Sequence, residues 1–222
     1  PPGAARHVQV LRLQPGGAIT LFDGTGGEWD ATITRMGRSD VQVRVGAHHA
    51  VERESTRAVH LVVGLMAADR MDWLVEKATE LGAASLTPVL MARSSLRLSG
   101  ERAEKKRAHW QAVSNAACEQ SGRNRLLDVR EQLTFQEYSR NATNATPARW
   151  VLSLAPDARP VAGCAAALSP TDDVTMVSGP EGGLSSEEDA AARAAGWQPI
   201  TLGARVLRAE TAPLAVLARL TL

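Results

Sequence analysis

Val174-Thr175-Met176-Val177-Ser178-Gly179-Pro180-Glu181-Gly182-Gly183-Leu184-Ser185 decides how the rest of the chain is read. Its apolar opening, Val174 to Val177, reads as a buried strand. Ser185 followed three residues later by Glu188 is a capping box, and the alanine-rich run to Ala195 is strong helix former. Between strand and helix, Gly179, Gly182 and Gly183 carry no Cβ, so the backbone can turn sharply and lie against a ligand. The segment from Pro199 to Ala212 repeats the layout: a strand to Leu202, then Gly203, an irregular turn, and a helix admitting Pro213 in its first turn. Two such units close together in sequence place their loops side by side at the carboxyl ends of neighbouring strands. In open α/β sheets that is where ligands bind. The glycine run fits neither GxxxxGK[ST] nor GxGxxG, so it is neither a phosphate loop nor a dinucleotide fingerprint. Taken alone it reads equally as a tight turn or a ligand loop, and the second glycine loop tips it towards a ligand.

Working outward, residues 58–222 alternate strand and helix. His60 to Leu65, Ser85 to Leu90, Arg149 to Leu154, Val174 to Val177 and Pro199 to Leu202 read as strands. Between them, Asp69 to Gly82 is a helix with Met71, Leu74, Val75, Ala78 and Leu81 at helical spacing, and Glu101 to Gly122 is a longer one. That order implies α/β architecture: a mostly parallel sheet covered by helices on both faces. The last helix, Ala212 to Leu220, is apolar nearly all round, so it is either deeply buried or covered by another subunit. Residues 141–147 read as a loop. Residues 1–54 read as β throughout, with Ala18 to Phe22, Glu28 to Thr34 and Val41 to Val45 joined by Gly/Asp turns, which suggests a small barrel. The opening at Pro1, without methionine, reads as a missing N-terminus.

Composition narrows the function classes. Over 222 residues the net charge is +1, so affinity for nucleic acid must come from a local patch. One exists between Arg93 and Arg125, where eight basic residues stand against three acidic ones. It suits phosphate contacts, although a solvated helix face with i,i+4 pairs such as Glu101–Lys105 is the commoner origin of such a run. Cys118 and Cys164 lack ligand spacing, as do the five histidines, which argues against structural zinc and for reduced thiols in the cytoplasm. No run is long and apolar enough to span a bilayer, and none reads as a signal peptide.

Five ordered motifs carry a family resemblance: the run Asp69 to Gly82, Arg93-Ser94, Glu119 to Arg123, Gly179 to Ser185, and Leu202 to Ala212. Together they resemble the bacterial small-subunit rRNA methyltransferases that modify N3 of a uridine in 16S rRNA, a branch of the SPOUT class of knotted methyltransferases. The resemblance implies a PUA-like N-terminal barrel, an α/β domain with a C-terminal trefoil knot, and a homodimer acting on the small ribosomal subunit. It implies S-adenosylmethionine as methyl donor, held by Ser153, Leu154, Gly179, Pro180, Glu181, Gly182, Gly183, Leu202, Gly203, Val206, Leu207, Ala209 and Ala212. Arg93, Arg123 and Arg125 are expected at RNA phosphates. The chain departs from the family pattern at Ala204, where proline is usual, at Ala209, where threonine is common, and at Ala67-Ala68.

Chemistry assigns the remaining roles as expectations. Uracil N3 is protonated at neutral pH, so a cation near a uracil carbonyl would stabilise the developing anion. Arg208 is the first candidate and Arg205 the second. Glu210 or Glu181 is either a general base or an anchor for backbone amides. Two alternatives stand beside this reading: a knotted enzyme acting on tRNA or another rRNA position, and a non-catalytic RNA-binding protein.

Overall fold

The computed structural model describes residues 2–141 and 146–222. The expected loop at 141–147 therefore lies largely outside the described residues. The chain divides into two compact units, residues 1–53 and 54–222.

In the first unit, helix α1 (Pro2–Val10) precedes an antiparallel sheet of β1 (Ala18–Leu21), β2 (Glu28–Met36) and β3 (Val41–His49). Ala31 and Ile33, two apart on β2, point to one face and are buried. The helix corrects the all-β expectation. Val8 and Val10 alternate like strand residues, yet Pro2 is tolerated in a helix's first turn, and Gln9 Nε2 ties the helix to the Gly37 carbonyl at 3.0 Å. Among the described residues the module is an open three-stranded sheet with a helix, not a closed barrel of strands.

The second unit is built on an eight-stranded sheet of β4 (Val59–Gly64), β5 (Ser85–Leu90), β6 (Asp128–Val129), β7 (Leu133–Thr134), β8 (Ala148–Leu152), β9 (Arg159–Pro160), β10 (Val174–Ser178) and β11 (Gln198–Thr201). Its order is β6-β5-β4-β10-β8-β11-β9, with β7 beside β5, and every pairing is parallel. Helices cover both faces, which is why the central strands read as unbroken apolar runs. Val59, Leu61 and Val63 of β4 enter one core, with Met71 and Leu74 of α2 (Ala68–Glu80), Trp110 of α3 (Glu101–Ser121), Cys164 of α5 (Val161–Ala166) and Leu217 of α7 (Thr211–Thr221). Val62 faces the opposite way, into a smaller core with Phe135 of α4 (Phe135–Asn141) and Ala192 of α6 (Ser186–Ala194).

The fold class is the expected one, a SPOUT-type mostly parallel sheet with helices on both faces, behind a PUA-like module. Its less ordinary feature is strand placement. β10 lies between β4 and β8, and β11 lies beyond β8. The chain then returns, so that α7 packs on α2, β4 and β10. Pro213, Leu214, Val216, Leu217 and Leu220 are buried there within this one chain, which accounts for the helix's apolar character.

Candidate active site

Three neighbouring strands, β10, β8 and β11, end at the same edge of the sheet, and the loops that leave them enclose a cleft of about 580 Å³. Ser153, Leu154 and Ala155 form one wall, residues 178–186 a second, and Leu202, Arg205, Val206, Leu207, Ala209 and Ala212 the third. This is the carboxyl-end crevice where open α/β sheets bind ligands. Of the residues expected to hold the cofactor, all line it except Gly203, which makes the turn at φ +106°. Leu154 and Val206 are 73% and 74% exposed, so the rim offers apolar surface. Ser178 Oγ, buried and without a hydrogen-bond partner, also lines the cleft.

The second wall is held by close backbone packing and by carboxylates. A Cβ on Gly179 would meet the Gly183 carbonyl carbon and the Leu184 nitrogen at 2.7 Å, so the loop folds back on itself only with glycine at 179. A Cβ on Gly64, at the end of β4, would strike the Pro180 ring. Ser185 Oγ accepts the Glu188 N–H and Glu188 accepts the Ser185 N–H, completing the capping box; Glu188 Oε1 also accepts the Ala92 N–H at 2.7 Å. Arg93 lies along Gly182 and donates to its carbonyl at 2.8 Å.

Glu181 is committed to the same scaffold. Its Oε1 accepts the Ala67 N–H at 2.9 Å, its Oε2 accepts the Ser95 hydroxyl at 3.0 Å, and Arg70 Nη1 lies 3.7 Å away. Burial pushes its pKa up, but the Ala67 and Glu181 N–H groups, Ser95 and Arg70 outweigh it, leaving the carboxyl below its ordinary value. It is an ionised anchor. Glu210, only 9% exposed, sits just before α7 and does not line the cleft; its Oε2 lies 4.0 Å from Arg70 and makes no hydrogen bond. Arg208 is exposed on the same loop as Arg205, and it too lies off the cleft lining.

The expected RNA contacts separate. Arg125 and Arg93 are both exposed, and Arg93 also donates to the Gly182 carbonyl. Arg123 is buried at 6% exposure, paired with both oxygens of Glu54 at 2.7 Å and donating to the Thr79 and Ala83 carbonyls. Its guanidinium is spent on the protein interior, which removes it from any phosphate. Arg70, Ser95, Ser178 and Glu188 belong to the site and were not singled out for it by sequence. Ser178 could have been found from its place at the strand end; Arg70 read only as one residue of the Asp69 to Gly82 motif, with no role of its own. Among the described residues no group of acids, histidines or cysteines is placed to hold a metal.

Comparison with known proteins converges on one group. Residues 53–221 match the family described as an RNA methyltransferase domain, and residues 2–46 match one described as an RNA methyltransferase PUA domain. The Synechocystis ribosomal RNA small subunit methyltransferase E is 31% identical over 213 residues, spanning 96% of this chain and 68% of that protein. The Bacillus subtilis protein of the same name is 29% identical over 96% of this chain and 85% of its own length. Among solved structures, the Neisseria gonorrhoeae ribosomal RNA small subunit methyltransferase E, bound to S-adenosyl methionine, superposes with a TM-score of 0.89 at 36% identity, covering 99% of this chain and 88% of that one. A Legionella pneumophila methyltransferase in complex with SAM gives 0.91 at 33%, covering 99% and 89%. With both of its parts matched and its cleft formed where the strands end, the chain belongs to the RNA methyltransferase family of the ribosomal RNA small subunit methyltransferases E.

Proposed function

We propose that this protein methylates N3 of a specific uridine in 16S rRNA of the small ribosomal subunit, working as a cytoplasmic homodimer. Methyl transfer to ribosomal RNA, with S-adenosylmethionine as donor, follows from the family; the atom, the assembly and the residue roles are the proposal. The observation that carries it is the cleft itself, where glycine backbone, an apolar rim and the unpartnered Ser178 hydroxyl meet. Those features fit a donor with an adenine ring, a ribose and an amino-acid tail. Ser153, Leu154, the Gly179–Gly183 loop, and Leu202, Gly203, Val206, Leu207, Ala209 and Ala212 would hold it. When bound, S-adenosylmethionine supplies an electrophilic methyl group on a sulfonium.

The chain's own residues then prepare the nucleophile. Uracil N3 must give up its proton to water as the nitrogen–carbon bond forms and the methyl–sulfur bond breaks, and negative charge spreads to the uracil carbonyls on the way. Arg208, exposed on the loop that forms the third wall, is assigned to those carbonyls. Glu210, buried beside Arg70 behind the loop, is assigned to holding it. Arg125 and the exposed cations of α3 are assigned to RNA phosphates.

Transfer of radiolabelled methyl groups to small subunits lacking their native modification tests the whole reading. Label recovered as N3-methyluridine is the expected result; label in tRNA alone, or at another atom, would overturn it. Arg208→Ala is expected to lower turnover by about 100-fold or more, with donor affinity nearly unchanged. Turnover close to that of the unaltered enzyme would remove Arg208 from this role.

A further inference from the structure

Arg70 stands in the first turn of α2, where the positive end of the helix dipole disfavours a cation. Its Nη1 lies 3.7 Å from Glu181 Oε1 and 4.0 Å from Glu210 Oε2. These carboxylates belong to different loops, one to the second wall of the cleft and one to the end of the third. Glu181 has further partners in Ala67 and Ser95, whereas Glu210 Oε2 is buried with no hydrogen bond. A buried carboxylate so placed is costly unless an opposite charge stands beside it, and here that charge is Arg70.

We propose that Arg70 is a positioning residue that couples the two loops of the donor cleft, holding Glu210, and with it the Arg208–Ala209 turn, against the Gly179–Gly183 loop. The proposal rests on the cleft being the methyl-donor site. Both separations exceed hydrogen-bond length, so the attraction is that of a point charge and does not use the planar fork of the guanidinium. Lysine should therefore replace Arg70, and a neutral side chain of similar length should not.

Calorimetric titration of S-adenosylmethionine into the unaltered protein, Arg70→Lys, Arg70→Met, Glu210→Gln and the Arg70→Met/Glu210→Gln double variant tests this, alongside ligand-free melting of each. Arg70→Lys should bind within about twofold of the unaltered protein, and Arg70→Met and Glu210→Gln each about tenfold more weakly. The double variant should be no weaker than either single one, because both remove one interaction. Ligand-free melting of Arg70→Met should fall, because Glu210 is left as a buried carboxylate without its charge partner, and should recover in the double variant. Full affinity in Arg70→Met, additive losses in the double variant, or failure of lysine to substitute would overturn the coupling while leaving the donor site standing. Absence of binding to the unaltered protein would overturn both.

Discussion

The Arg123 guanidinium is gripped by both oxygens of Glu54 and by the carbonyls of Thr79 and Ala83, all inside the protein. Methionine at 123 would strip four hydrogen bonds from the Glu54 carboxylate and the Thr79 and Ala83 carbonyls, at a cost of about 3–5 kcal/mol. Urea denaturation should show the loss, whereas RNA affinity per folded molecule should stay the same. Glu181 gives a pH signature. Its pKa is lowered in the folded state, so its contribution is fully present above the ordinary carboxyl value, about 4.3, and disappears as the pH falls through its own lower value. Glu181→Gln should accordingly flatten the acid limb of the stability curve, measured by melting across that window. A carboxylate's depth is not written in its neighbours along the chain. Glu54 and Arg123 are 69 positions apart, and only the fold shows that the expected phosphate ligand is an interior strut.

Helix α6 begins with a reciprocal pair of hydrogen bonds, and one of its members does a second job. Ser185→Ala should cost about 1 kcal/mol through the lost cap. Glu188→Ala should cost more, because it also frees the Ala92 N–H and with it the segment that carries Arg93. Thermal melting of the two variants gives the order. This cap was legible in sequence because Ser and Glu stand at fixed spacing beside an alanine-rich run. The long helices α2 and α3 and the five central strands were legible for a similar reason, a period sustained over several residues. α1 and α5, of nine and six residues, are too short to show one clearly, and β6, β7 and β9 are two residues each. Such strands exist only because a neighbour is there to pair with.

At the scale of the whole molecule, alternating strand and helix was enough to identify a parallel sheet, and two glycine loops were enough to locate a cleft at its edge. The order of the strands was not legible, since unknotted neighbours in sequence order are the ordinary outcome. Val174 of β10 pairs with Val59 on one side and with Ala148 on the other, so a strand made late divides two made earlier. On a ribosome, β4 and β8 emerge before the strand that lies between them, so neither can complete its pairing until β10 is made. The third wall of the cleft and its supporting helix, residues 202–221, come later still. A protein built this way has no complete cleft until residues 202–212 have been made, so the segment that closes the cleft is the last of its three walls to be translated.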